Sequence, residues 1–285
     1  MHAVSVQAVR LMRSALVTES AGWDELPVAV RKAVEQHTGP VLSTTRGGDG
    51  MSTSLRLILR SAAGDVFVKG TGPENTDHQR RRLALGAAMA PYVTTIGPPL
   101  LWQVRADGWD ITGWPALSGQ PWADQKPGTP DMPKMTGLLS ELATIPAPEM
   151  LTKTVRDDWG RWSDDPGLLD GDTLVHSDPN PTNFVVNGDR AWMVDWGWAL
   201  RGPAWGTSAL LVLSLMETGW EPADAEDALM DVPAWRDAPT CAVTEFARAE
   251  AREWTAAEQR APTRVRKFKA DVARAWAEHR EHLHV

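Results

Sequence analysis

Three residues of this sequence have the types and order that moving a phosphoryl group requires. The stretch Leu174-Val175-His176-Ser177-Asp178-Pro179-Asn180-Pro181-Thr182-Asn183-Phe184 reads H-x-D-x-x-x-x-N, and Trp192-Met193-Val194-Asp195-Trp196 puts an aspartate at the end of a short apolar run. Phosphoryl transfer from a nucleotide needs a carboxylate at the acceptor hydroxyl and two oxygen ligands for magnesium. Asp178 is read as the catalytic carboxylate, and Asn183 and Asp195 as the metal ligands. Pro179 and Pro181 keep the loop out of helix. His176 has a pKa suited to a base, but it is read as structural, holding the loop by hydrogen bonds.

Upstream, Lys69 ends the alternating run Val66-Phe67-Val68 behind a glycine-rich segment, Gly47-Gly48-Asp49-Gly50-Met51-Ser52. An ammonium at such a strand end is well placed to meet nucleotide phosphates. Backbone N–H groups of the segment, with the hydroxyls of Ser52 or Ser54, could cradle phosphate. A plain hairpin turn explains the same glycines, and Asp49 is a poor neighbour for an anion. The acidic groups Asp157-Asp158, Asp164-Asp165, Asp170 and Asp172 are either a site for ammonium groups of a substrate or a solvated face. Trp196, Trp198 and Trp205 read as packing residues. No residue is assigned to acceptor binding.

The elements that must position these residues divide the chain. Residues Pro27 to His37 read as a short helix stopped by Gly39-Pro40. Leu55 to Leu59 and Val66 to Lys69 read as two strands about a turn at Ala63-Gly64-Asp65. Arg80 to Met89 has helical spacing, and Leu100 to Val104 with Trp109 to Thr112 form a further strand pair. The Gly- and Pro-rich region from Gly113 to Pro133 marks a boundary. Beyond it the chain is mostly helical: Met135 to Ile145, Thr207 to Thr218, Ala223 to Met230, Cys241 to Arg260 and Arg264 to Arg280. Two short strands, Phe184 to Val186 and Ala191 to Val194, flank the candidate site.

Composition sets the outer limits. The 285 residues carry a formal charge of −8, which argues against a nucleic-acid partner and favours a cationic ligand. With one cysteine, Cys241, neither an intramolecular disulfide nor a cysteine zinc cluster can form. Neither a signal peptide nor a membrane span is legible, so a cytoplasmic, monomeric protein is the expectation.

At Val66-Phe67-Val68-Lys69, at His176-Ser177-Asp178 through Asn183, and at Val194-Asp195-Trp196 the chain resembles the aminoglycoside phosphotransferase family, small-molecule kinases of the protein-kinase-like fold. The resemblance implies an α+β, bilobal architecture. Residues 1–114 would form a nucleotide-binding lobe with an antiparallel sheet, and residues 115–285 a mainly helical lobe with the catalytic loop and substrate site. It implies ATP or GTP as donor in the cleft between the lobes, with Mg²⁺. Lys69 would meet the α/β-phosphates, and a hinge near Gly113 to Leu117 the base. The acceptor would be a hydroxyl of a small polar molecule, with or without amino groups: an aminoglycoside-like antibiotic or a metabolite.

Three departures accompany the resemblance. Where the family has a helix glutamate paired with the strand lysine, this chain has Arg80-Arg81-Arg82-Leu83. Gly206-Thr207-Ser208 stands where a further aspartate opens the next helix, so Thr207 or Ser208 is the expected cap. Ser177 replaces the usual glycine. The first departure motivates an alternative function, a kinase-like binding or regulatory protein with weak catalysis.

Overall fold

The computed structural model describes residues 21–47, 53–117 and 123–283. The described residues fall into two compact units, one within Arg10–Gly119 plus Val194–Trp198, the other within Gln120–Met193 and Ala199–Val285.

The first unit is built on a five-stranded antiparallel sheet in the order β1-β2-β3-β5-β4. Its strands are β1 (Val41–Arg46), β2 (Leu55–Ser61), β3 (Gly64–Thr71), β4 (Trp102–Ala106) and β5 (Trp109–Pro115). Alternation along β2 sends Leu55, Leu57 and Leu59 to one face, where they pack with Val68, Trp109 and Ile111 against Trp23, Leu26, Val30 and Val34. Val30 and Val34 belong to the helix Val28–Thr38, which ends at Gly39 with φ 70°. Arg56, Ile58, Lys69 and Thr112 are left on the opposite face. The β4–β5 turn places both Asp107 (φ 48°) and Gly108 (φ 78°) in the left-handed region, as tight hairpins require.

Sequence and structure differ in places. Thr44 to Arg46, which precede the glycine-rich segment, belong to β1, whose ladder Gly47 N–H extends by donating to Arg56 O (3.0 Å). β1 is an edge strand with a register shift and mostly exposed residues, so it lacks the apolar alternation that marks a strand. The hinge expected from Gly113 begins inside β5, which runs to Pro115. The helix Asp77–Met89 starts earlier than its apolar spacing suggests because Thr76 caps it: the Thr76 hydroxyl accepts from Gln79 N (3.3 Å) and Thr76 N donates to Gln79 Oε1 (2.9 Å).

The second unit is mainly helical, with two small antiparallel sheets. β6 (Thr173–His176) pairs with β9 (Ala199–Gly202), and β7 (Phe184–Asn187) with β8 (Arg190–Met193). Its longest helices are Gly206–Glu217, Thr240–Arg260 and Arg264–His282. Phe246 is the centre of an aromatic core, with Trp159, Trp205 and Trp276 rings 5.4 to 6.3 Å from it. Buried Glu226 receives Trp276 Nε1 (2.6 Å) and Arg280 (2.9 Å), so the charge inside this core is compensated. No helix among the described residues is long and apolar enough to cross a membrane.

Candidate active site

In the helical unit, β6 delivers His176 and β7 begins just after Asn183, so the loop between them is anchored at both ends. The carboxylate of Asp178 receives two amides: Asn180 Nδ2 donates to Oδ1 (2.8 Å) and Asn183 Nδ2 to Oδ2 (3.1 Å). Asn183 Nδ2 also donates to the carbonyl of Asp178 (2.8 Å). These bonds aim the carboxylate and orient Asn183 so that its other polar atom is an oxygen, the donor type that magnesium takes. The Asn180 side chain accepts from Thr182 N (2.9 Å), closing the 3₁₀ turn Pro181–Asn183.

His176 is buried, and its Nδ1 accepts from Asp178 N (3.2 Å), while its backbone N–H donates to Thr207 Oγ1 (3.0 Å). Thr207 therefore ties down β6 and does not cap its helix, whose N-terminus at Trp205 has no side-chain cap. Buried Gln125 adds a second tie, its Oε1 accepting from Ser214 (2.9 Å) and its Nε2 directed at Pro179 O (3.5 Å). Thr207, Asn180 and Gln125 were not legible as site residues, because each is defined by partners distant in sequence or by loop geometry.

Most of the acidic groups read as either a substrate site or a solvated face have local partners. Asp158 pairs with Lys153 (2.6 Å), Asp164 with Arg252 (2.6 Å), Asp170 with Arg156 (2.9 Å) and Asp172 with Arg201 (2.9 Å). Asp157 completes a capping box with Thr154. These five groups have local partners, which accords with the solvated-face reading.

In the sheet unit, Lys69 Nζ meets Asp195 Oδ1 at 2.9 Å, and Arg56 Nη2 lies 3.7 Å from Asp195 Oδ2. Arg56 and Lys69 are directly opposed on β2 and β3. The three side chains keep only 13 to 23% of their exposure. Burial raises the Asp195 pKa, but the charges of Lys69, Arg56 and Arg82 outweigh it and hold the carboxyl well below its ordinary range. For Lys69 burial dominates, aided by Arg56 and Arg82 and opposed by Asp195, so its pKa is lowered.

Asp195 stands in the left-handed region, φ 66°, a conformation that aspartate tolerates better than most residues. What holds it there is the 3₁₀ segment Trp196–Trp198 packed on the helix Asp77–Met89. Gly86 and Gly197 make that approach possible: a Cβ on Gly197 would meet Arg82 O at 2.9 Å, and one on Gly86 would meet Gly197 N at 3.4 Å. The same contact sets the Arg82 guanidinium 3.3 Å over the Trp198 ring. Trp196 and Trp205 are buried packing residues, as read from the sequence.

Ser54 donates its hydroxyl to Asn75 Oδ1, which also accepts from Gly72 N (2.7 Å). Its proton is thus engaged by the turn before the helix. Ser52 and Gly48 to Met51 lie outside the described residues. Among the described residues no three His, Cys, Asp or Glu side chains converge as a metal cluster. Magnesium sites that share their ion with substrate phosphates need only one or two protein carboxylates. Asn183 and Asp195 fit that donor set by type, although both Asp195 oxygens already face cations.

No protein-family model and no curated protein matches the chain. Solved structures do. An aminoglycoside phosphotransferase from Alicyclobacillus acidocaldarius aligns at TM-score 0.59 and 14% identity, covering 90% of this chain and 97% of its own. A choline/ethanolamine kinase family protein from Mesorhizobium loti aligns at TM-score 0.53 and 16% identity, covering 96% and 94%. A thermostable mutant of aminoglycoside phosphotransferase APH(4)-Ia, in ternary complex with ADP and hygromycin B, aligns at TM-score 0.52 and 11% identity, covering 87% and 99%. This chain has the α+β, protein-kinase-like fold of those small-molecule kinases.

Proposed function

We propose that the protein is a nucleotide-dependent phosphotransferase that moves the γ-phosphate of ATP or GTP to a hydroxyl of a small, polar, amino-bearing molecule. The observation that carries this reading is the Asp178 carboxylate, gripped on both oxygens by the amides of Asn180 and Asn183. A carboxylate fixed in this way accepts or orients the proton of an attacking hydroxyl without reorganising during the reaction. Lys69 is assigned to the nucleotide phosphates, and Asn183 and Asp195 to Mg²⁺. His176 holds the loop. When bound, the metal would neutralise charge on the phosphates. Residues 1–114 are assigned to nucleotide binding, and residues 115–285 to the acceptor.

The acceptor class draws on two similar structures, an aminoglycoside phosphotransferase holding hygromycin B and a choline/ethanolamine kinase family protein. Both names point to amino-bearing molecules with hydroxyls. The test is a coupled assay of nucleoside diphosphate release with aminoglycosides, choline and ethanolamine as acceptors, on wild type and Asp178→Asn. Acceptor-dependent turnover by wild type, reduced at least about 10³-fold in the variant with nucleotide binding retained, is the expected result. Equal turnover by the two proteins would remove Asp178 from the chemistry.

One observation favours a second reading, a kinase-like binding protein. Both oxygens of Asp195 are engaged by Lys69 and Arg56, so a metal would compete for them. Nucleotide binding with no turnover on any acceptor would support that reading.

A further inference from the structure

The loop that carries Asp178 and Asn183 is met from outside by a short segment, Ala123 to Gln125. Ala123 N–H donates to the carbonyl of Phe184 (2.8 Å), the residue after Asn183. Gln125 Nε2 is directed at the carbonyl of Pro179 (3.5 Å), the residue after Asp178. The segment therefore touches the loop just past each of the two residues assigned to chemistry. Pro179 gives the second contact its meaning. Its ring fixes φ, so the direction of its carbonyl and the position of Asn180 both turn on one soft rotation, ψ of Pro179. Asn180 in turn donates to Asp178 Oδ1 (2.8 Å). A group that holds the Pro179 carbonyl thus steadies the amide that aims the carboxylate.

Gln125 is built as a fixed donor. Its side chain is buried, and its Oε1 accepts from Ser214 of the helix Gly206–Glu217 (2.9 Å). Turning the amide over would set Oε1 against the Pro179 carbonyl, two acceptors face to face, so the bonding selects Nε2 towards the loop. Its backbone carbonyl accepts from Thr218 Oγ1 (2.5 Å) and Trp220 Nε1 (2.6 Å), which bolts the residue to the end of that helix. The second contact of Nε2 is a weak acceptor, Met135 Sδ (3.8 Å). At 3.5 Å the contact with Pro179 is near the outer limit of a hydrogen bond, so it steers the loop more than it stabilises the fold.

We propose that Gln125 is a positioning residue for phosphoryl transfer: through the Pro179 carbonyl it sets the Pro179–Asn180 peptide, and with it the aim of Asp178 at the acceptor hydroxyl. The proposal rests on the reading of Asp178 as the carboxylate that meets the acceptor. It requires no contact between Gln125 and substrate or nucleotide.

The test is steady-state kinetics with whichever of the aminoglycosides, choline or ethanolamine wild type phosphorylates. Wild type is compared with Gln125→Met, Gln125→Glu and Ser214→Ala, with thermal melting as the check of folding. Gln125→Met keeps the bulk and removes the donor, so kcat should fall about 10- to 100-fold with both KM values within about twofold. Gln125→Glu has a donor for Pro179 only when protonated. Its kcat relative to wild type should recover as pH falls towards about 5, a rescue that a space-filling role would not give. Ser214→Ala leaves the amide in place but unanchored, so kcat should fall by less. A folded Gln125→Met with wild-type kcat, or with raised KM at unchanged kcat, would overturn the proposal, as would a Gln125→Glu without pH rescue. Should neither Gln125 variant fold, Ser214→Ala decides, and wild-type kcat there overturns it. If wild type turns over no acceptor, the phosphotransferase reading fails by itself. The side-chain amide NMR signals of Asn180 and Asn183 then decide the positioning: a shift in Gln125→Met keeps it, and unchanged signals remove it too.

Discussion

Asp195→Asn isolates the charge at the centre of the sheet-unit cluster. Asn occupies the left-handed region as readily as Asp, so the φ of 66° at this position is kept while the negative charge is removed. Lys69 at 2.9 Å and Arg56 at 3.7 Å then lose their shared carboxylate and face each other across β2 and β3. Removing one partner of a buried pair costs about 3–5 kcal/mol. The Asp195 side chain retains 23% exposure, which moderates that figure to about 2–3 kcal/mol. Urea unfolding at pH 7 should show this loss at an unchanged m-value. A double-mutant cycle with Lys69→Met should give a coupling of about 1–2 kcal/mol. The pH dependence has a definite sign: the folded carboxyl is held below its unfolded value, so its contribution is present above about pH 4 and fades as pH falls through the folded value. Wild type and variant should therefore converge in acid. A variant within about 0.5 kcal/mol of wild type at pH 7, or a cycle with no coupling, would refute the view that this pair is a principal charge contact of the unit.

Two further outcomes test the packing that surrounds these charges and the helical core. Gly197→Ala puts a Cβ 2.9 Å from the Arg82 carbonyl, against helix backbone that cannot easily give way. A loss of about 1–3 kcal/mol in urea unfolding is expected, and a neutral result would mean that the helix and the Trp196–Trp198 segment slide apart freely. Glu250 is buried against Trp159, whose Nε1 donates to it (3.0 Å), and burial, then the nearby charge of Glu253, pushes its pKa up to about 8. The unfolded chain therefore loses this proton first, and stability falls as pH rises from about 4.5 towards about 8. Glu250→Gln should match wild type near pH 4 and exceed it by a few kcal/mol near pH 8; parallel pH profiles would place the shift elsewhere.

What the sequence determined by itself was the chemistry of a local segment. His176, Asp178 and Asn183 lie within eight residues, and the two prolines around Asn180 exclude helix, so their mutual bonds are set by a short loop. The helices were legible for a similar reason, since 3.6-residue periodicity is written within one segment. The sheet cluster was not. A turn centred on Gly64 would have set Lys69 opposite Leu59, but the chain turns at Ala62-Ala63, so Lys69 faces Arg56. Strand register depends on where the turn closes, and a shift of one residue in a partner sends its side chain to the other face. The placement of Arg82 had even less local signal. It follows from Gly86 and Gly197 letting a helix and a 3₁₀ turn more than a hundred residues apart in sequence come into contact, which only the packed structure decides.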